Sequence, residues 1–190
     1  MFVNLPNCLT LSRILVIPIL AILVMIHRPL TDFIACLLFI LAGITDYLDG
    51  KLARAWKQLS ELGRMLDPIA DKLLVGILLI VMAAYGRLPH GGIIPAMVIL
   101  SREILVSGLR EFLATSQIGL PVTKLSKWKT TFQMIALGFL LAGDTSAKML
   151  GISWLPVSII GSFLLWVSAI LTIMTGWGYI RTGLKFINKP

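Results

Sequence analysis

The chain predicts an all-α integral membrane protein, and three features predict it. Of 190 residues, 57% are hydrophobic and 14% charged; mean hydropathy is +0.92; and apolar runs of helix length recur along the whole chain without strand-like alternation. A water-soluble domain carries about 25% charged residues, so the composition argues against one. The missing alternation argues against a membrane β-barrel. The 17 Lys plus Arg outnumber the 9 Asp plus Glu for a formal charge of +8, which would suit nucleic acid or an anionic membrane surface. Hydropathy decides for the membrane, and no nucleic-acid partner is expected. Cys8 and Cys36 lie inside apolar runs without CxxC or Cys/His spacing, so neither a disulfide framework nor a zinc site is suggested.

Six spans are expected, near 8–27, 31–54, 65–85, 92–115, 128–143 and 154–180. About 20 residues at 1.5 Å each cross a hydrocarbon core of roughly 30 Å. The first run has the apolar content of a signal peptide, but no basic stretch precedes it and the hydrophobicity recurs, so it reads as a retained span. The stretch before it reads as a short interfacial segment, with Asn7 as helix N-cap. His27-Arg28-Pro29 separates the first two spans, and Gly86 to Gly92, with Pro89 inside, separates the third from the fourth. Gly119-Leu120-Pro121 follows the fourth, and Gly143-Asp144-Thr145-Ser146 closes the fifth. Trp154, Trp166 and Trp177 are expected to face lipid near the interfaces. No linker, soluble domain or repeat stands apart, so residues 1–190 read as one membrane-embedded domain.

Orientation follows from the Lys and Arg at alternate ends of these spans. Arg13, the 51–72 stretch, residues 102–129 and the C-terminal tail hold 14 of them, against three on the other side, Arg28, Arg87 and Lys148. Both termini and the 51–72 and 116–129 connections are therefore expected in the cytoplasm. His27 and His90 fall on the opposite side and receive no catalytic role.

Two segments break the apolar pattern together. Ile44-Thr45-Asp46-Tyr47-Leu48-Asp49-Gly50 closes the second span and Leu66-Asp67-Pro68-Ile69-Ala70-Asp71-Lys72 opens the third. Asp46 and Asp49 are three apart, while Gly63, Asp67 and Asp71 are four apart, so each set lines one helix face. A short antiparallel connection brings the two faces together. An ionised Asp at the centre of a membrane helix costs about 2.5–3.5 kcal/mol, less near the interface, and like charges in one cleft repel. Such a cluster calls for cations. One source is an ordinary salt-bridge network with Arg54, Arg64 and Lys72. The other is a divalent metal: all-oxygen ligation favours magnesium, manganese or calcium over zinc or copper, and a metal pair bridged by carboxylates serves phosphoryl transfer.

The full string, Asp46-x2-Asp49-Gly50-x2-Ala53-Arg54-x8-Gly63-x3-Asp67-x3-Asp71, resembles the signature of the CDP-alcohol phosphotransferase family at every defined position. The resemblance implies that family's fold, six transmembrane helices, a homodimer, a polar cavity open to the cytoplasm, and displacement of CMP from a CDP-linked donor by an alcohol. It implies that Asp46, Asp49, Asp67 and Asp71 hold two Mg2+ or Mn2+ ions and that Asp71 also deprotonates the attacking hydroxyl. Gly50, Ala53, Arg54 and Gly63 are implied to bind the CDP-diacylglycerol head.

The acceptor depends on a second cluster. Arg102-Glu103 and Arg110-Glu111 are eight residues apart, close to two turns, so the arginines share a face. They are either structural partners of the glutamates or anion ligands. Lys124, Lys127 and Lys129 follow, beside Trp128, and alone would read as a positive-inside anchor. These stretches, with Asn4-Leu5-Pro6-Asn7-Cys8-Leu9-Thr10-Leu11-Ser12-Arg13, resemble the phosphatidylglycerophosphate synthase branch of the family. That branch transfers phosphatidyl from CDP-diacylglycerol to sn-glycerol 3-phosphate, and the resemblance implies acceptor-phosphate binding by Arg110, Lys127, Lys129 and Arg102, in a bacterial cytoplasmic membrane. Inositol phosphate, serine or phosphatidylglycerol as acceptor, and a small cation transporter built on the same acids, are the alternatives.

Overall fold

A computed structural model describes residues 5–55, 61–115 and 123–187. Among them are six helices and no strand: α1 (Leu5–Ile26), α2 (Pro29–Ala55), α3 (Glu61–Ala84), α4 (Ile93–Thr115), α5 (Lys124–Met149) and α6 (Val157–Ile187). Each expected apolar run lies largely within one of them, so the all-α reading holds.

The ends differ from expectation for local reasons. Asn7 does not cap α1 but lies inside it, because Pro6 occupies the first turn, where its missing N–H costs no helical bond. Helix α5 starts four residues before the apolar run, since Thr123 Oγ1 accepts the Ser126 N–H at 3.2 Å and caps a lysine-rich first turn that hydropathy alone does not register. The break foreseen at Gly143 is a kink rather than an end. Gly143 adopts φ 62° and ψ 171°, a left-handed excursion that glycine tolerates, and helix resumes as far as Met149.

Large apolar side chains stand exposed on every helix, including Leu15, Leu41, Ile80, Ile104, Ile135 and Phe163. Soluble proteins avoid such patches, whereas lipid solvates them. Trp154 and Trp177 are strongly exposed and Trp166 less so, in keeping with lipid-facing positions. By length and composition two described stretches can cross a bilayer, Pro29–Leu48 and Val157–Arg181, and α1 carries a shorter apolar stretch, Thr10–Ile26.

The chain divides into two compact units, residues 1–87 with 141–157 and residues 88–140 with 158–190, so the boundary passes through α5 beside its kink. In the first unit α1 packs on both α2 and α3. It contributes Ile17, Leu20 and Val24 to a buried core with Phe39 of α2 and Leu74, Leu78 and Met82 of α3. One end of this unit is tied by a buried ion pair. Arg87 Nη1 lies 2.7 Å from Asp32 Oδ1 at the start of α2, and Arg87 Nη2 donates to the Leu141 carbonyl, just before the kink, at 3.1 Å. Thr145 Oγ1, beyond the kink, donates to Asp32 Oδ2 at 3.1 Å, and His27 Nδ1 lies 3.0 Å from the same oxygen. Burial lowers the Arg87 pKa from its ordinary value, and the Asp32 carboxylate pushes it back.

The second unit contains α4, the first part of α5 and α6. Ile99, Val106 and Leu113 of α4, Leu137 of α5 and Leu165 of α6 are buried. Ser168 Oγ of α6 donates to the Lys129 carbonyl of α5 at 3.5 Å, a hydroxyl contact of the kind that joins helices in lipid.

Candidate active site

In the first unit, one face of α1 gathers the motif aspartates. Thr10 and Arg13 are three residues apart and so project side by side. Arg13 Nη1 lies 2.7 Å from Asp46 Oδ1 of α2 and 3.4 Å from Asp71 Oδ1 of α3. Thr10 Oγ1 donates to Asp67 Oδ1 at 2.6 Å. Helices α2 and α3 thus deliver three carboxylates to one face of α1. Their exposure is graded. The Arg13 side chain is 1% exposed, whereas those of Asp46 and Asp71 are 41% and 55% exposed. The arginine forms the floor and the carboxylates keep accessible oxygens.

The donor types are those a hard divalent cation takes. The set consists of carboxylate oxygens, without His or Cys, and the Asp46 and Asp71 oxygens that share one guanidinium nitrogen lie no further apart than the sum of their distances to it. Among the described residues no three His, Cys, Asp or Glu side chains are close enough to hold an ion alone. Asp49, the remaining acid of the string, lies on α2 with its side chain outside the described residues, as do Gly50, Ala53 and Arg54. Gly63 is half-buried on α3.

Sequence reasoning treated Arg13 as an orientation charge and Thr10 as part of a family-like N-terminal string. Their role in the cluster was accessible in principle: an arginine in an otherwise apolar helix needs a partner, and a threonine three residues before it shares its face.

In the second unit the expected shared face of Arg102 and Arg110 is present, and Tyr179 of α6 is its centre. Arg110 Nη2 donates to Tyr179 Oη at 3.1 Å. The Arg102 and Arg110 guanidinium carbons lie 5.4 and 5.0 Å from the centre of the Tyr179 ring, within cation–π range. Arg102 Nη2 donates to Thr175 Oγ1 at 3.3 Å, and its stem runs close to Gly176, where an added Cβ would stand 3.1 Å from Arg102 Cγ. Glu103 pairs with buried Lys129 and sits 3.6 Å from Arg102 Nη1, so the glutamate serves as a structural counter-ion here. Arg110 and Lys127 are exposed. Tyr179 gave no signal in the sequence, where a tyrosine near the end of an apolar run reads as an interfacial aromatic.

Comparison with known proteins identifies the family. The family model described as CDP-alcohol phosphatidyltransferase matches residues 3–174. A protein of Rickettsia bellii named CDP-diacylglycerol–glycerol-3-phosphate 3-phosphatidyltransferase is 43% identical over 183 residues, covering 96% of this chain and 97% of its own. Proteins of the same name from Rickettsia typhi and Cereibacter sphaeroides are 46% identical over 178 residues (94% of this chain, 96% of that one) and 41% identical over 215 aligned positions (97% of each). With the family model spanning nearly the whole chain and such relatives matching end to end, the chain belongs to the CDP-alcohol phosphatidyltransferase family.

Proposed function

We propose that the protein transfers the phosphatidyl group of CDP-diacylglycerol to a hydroxyl of sn-glycerol 3-phosphate, giving phosphatidylglycerol phosphate and CMP. The observation that carries this reading is the convergence of Asp46, Asp67 and Asp71 on one face of α1. The names of near-full-length relatives support the choice of donor and acceptor. The acceptor oxygen forms a bond to the phosphatidyl phosphorus while the bond from that phosphorus to the bridging oxygen of CMP breaks. Asp71 takes the hydroxyl proton. Its side chain is more than half exposed, so a carboxylate oxygen is open to a substrate hydroxyl.

Asp46, Asp49, Asp67 and Asp71 would hold Mg2+ or Mn2+, two ions per site. Such ions supply charge stabilisation for the diphosphate and its leaving group. Gly50, Ala53, Arg54 and Gly63 line the path for the CDP head: the small residues admit close approach and the arginine binds the diphosphate. Arg110, Lys127, Lys129 and Arg102 bind the acceptor phosphate. The Tyr179-centred cluster supports the roles of Arg102 and Arg110.

Residues 1–190 act as one domain with six membrane spans, assembled as a homodimer in a bacterial cytoplasmic membrane, with both termini and the aspartates facing the cytoplasm. The 14-to-3 division of Lys and Arg supports the orientation. The donor's acyl chains then stay in the bilayer while its head enters from the side. The test is product identity. CDP-diacylglycerol is supplied with sn-glycerol 3-phosphate, inositol phosphate, serine or phosphatidylglycerol in turn, and phosphatidylglycerol phosphate is the expected lipid. A product formed only with another acceptor overturns the assignment.

A further inference from the structure

The geometry points to Thr10 and Arg13 as positioning residues: one face of α1 holds the three described motif aspartates in place, with Arg13 as the cluster's built-in counter-charge. This rests on the catalytic reading of those aspartates given above. Three observations carry it. The two side chains lie one turn apart on α1, and between them they contact aspartates from both other long helices of the unit: Arg13 reaches Asp46 and Asp71, and Thr10 reaches Asp67. Both are buried, at 2% exposure each, although they sit at the start of an apolar stretch where a charge and a hydroxyl are costly. Asp46 and Asp71 are the more exposed members of their ion pairs with Arg13, so the contact fixes one oxygen and leaves the rest of each carboxylate open.

Positioning and charge are separable. A guanidinium at hydrogen-bond distance from two carboxylates orients both and also repels an incoming divalent cation. Loss of Arg13 therefore lowers turnover by releasing Asp71 and Asp46 while strengthening cation binding. Loss of the Thr10 hydroxyl releases Asp67 without changing any charge, and lowers turnover without strengthening cation binding. A residue needed only for folding would weaken both properties together.

The test uses the purified full-length protein in detergent. Turnover, the KM for each substrate and Mn2+ affinity by the paramagnetic resonance of free Mn2+ are measured for Arg13→Gln, Arg13→Lys, Thr10→Val and Thr10→Ser. Arg13→Gln is expected to lower kcat about a hundredfold, leave the KM for sn-glycerol 3-phosphate within about twofold, and tighten Mn2+ binding about tenfold, the scale of one unit charge near a divalent ion in a water-like dielectric. Arg13→Lys keeps Mn2+ affinity near that of the parent protein. Thr10→Val lowers kcat about tenfold at unchanged Mn2+ affinity, and Thr10→Ser restores it. Parent-like kcat and Mn2+ affinity in Arg13→Gln overturn the inference. If Arg13→Gln does not fold, the threonine pair decides: parent-like kcat in Thr10→Val overturns it, and loss with rescue by serine supports it. Should the parent protein release no CMP from CDP-diacylglycerol, the proposed function fails, while tightened Mn2+ binding in Arg13→Gln still supports the counter-charge and unchanged binding still refutes it.

Discussion

Replacing Arg87 by methionine tests the buried tie at the end of the first unit. Asp32 is fully buried, and Arg87 is the cation closest to it, at 2.7 Å. The substitution keeps most of the side-chain volume but removes the charge and the donor to the Leu141 carbonyl, so a carboxylate is left inside the protein with His27 and Thr145 as its remaining described partners. Breaking a buried pair in this way costs about 3–5 kcal/mol, a large share of the roughly 5–15 kcal/mol by which folded domains are stable. The expected result is a fall in Tm on the order of ten degrees for the detergent-solubilised protein. Replacing both partners, Arg87→Met with Asp32→Leu, recovers much of that loss because no uncompensated charge remains. His27 contributes little, since its ring is 52% exposed, and His27→Ala shifts the melt by a small fraction of that amount. Asp32 lies about 20 Å along α2 from Asp46, so the folded fraction of each variant keeps near-normal turnover. A single substitution that melts like the parent protein, or a double substitution less stable than the single, would refute the reasoning.

The remaining predictions concern the chemistry. Asp71→Asn abolishes turnover while CDP-diacylglycerol binding persists, as measured by CMP release and by equilibrium binding of the donor; unchanged CMP release removes Asp71 from the base role. Tyr179→Phe deletes the hydroxyl that accepts the Arg110 bond but keeps the ring beneath both guanidiniums, so the KM for sn-glycerol 3-phosphate rises about fivefold, for roughly 1 kcal/mol of lost hydrogen bonding, with little change for the donor. Arg110→Ala raises the acceptor KM further, and equal changes for both substrates would make the cluster structural instead.

The sequence disclosed most of what depends on local pattern. Apolar runs located the helices because a membrane helix must be apolar along its length, and the break at Gly143 was visible as a glycine followed by polar residues. The aspartates stood out because acids are costly where they occur. What escaped depended on residues distant in the chain. Arg87 counted only as a charge on the non-cytoplasmic side and Asp32 drew no reading, because only the folded chain brings the two together across 55 positions. Tyr179 gained its meaning from arginines on another helix. The start of α5 escaped because a capping threonine, not hydrophobicity, sets it. Lys129, expected as an acceptor-phosphate ligand, also pairs with Glu103, a partner that the sequence alone did not single out. Any acceptor phosphate there must compete with that carboxylate.

The most direct test of the central claim is CMP release from CDP-diacylglycerol by the purified protein, with and without sn-glycerol 3-phosphate and with and without Mg2+. The account predicts release only when both are present. Metal-dependent release indifferent to sn-glycerol 3-phosphate would contradict the acceptor, and no release under any condition would contradict the assignment of the aspartate cluster to phosphatidyl transfer.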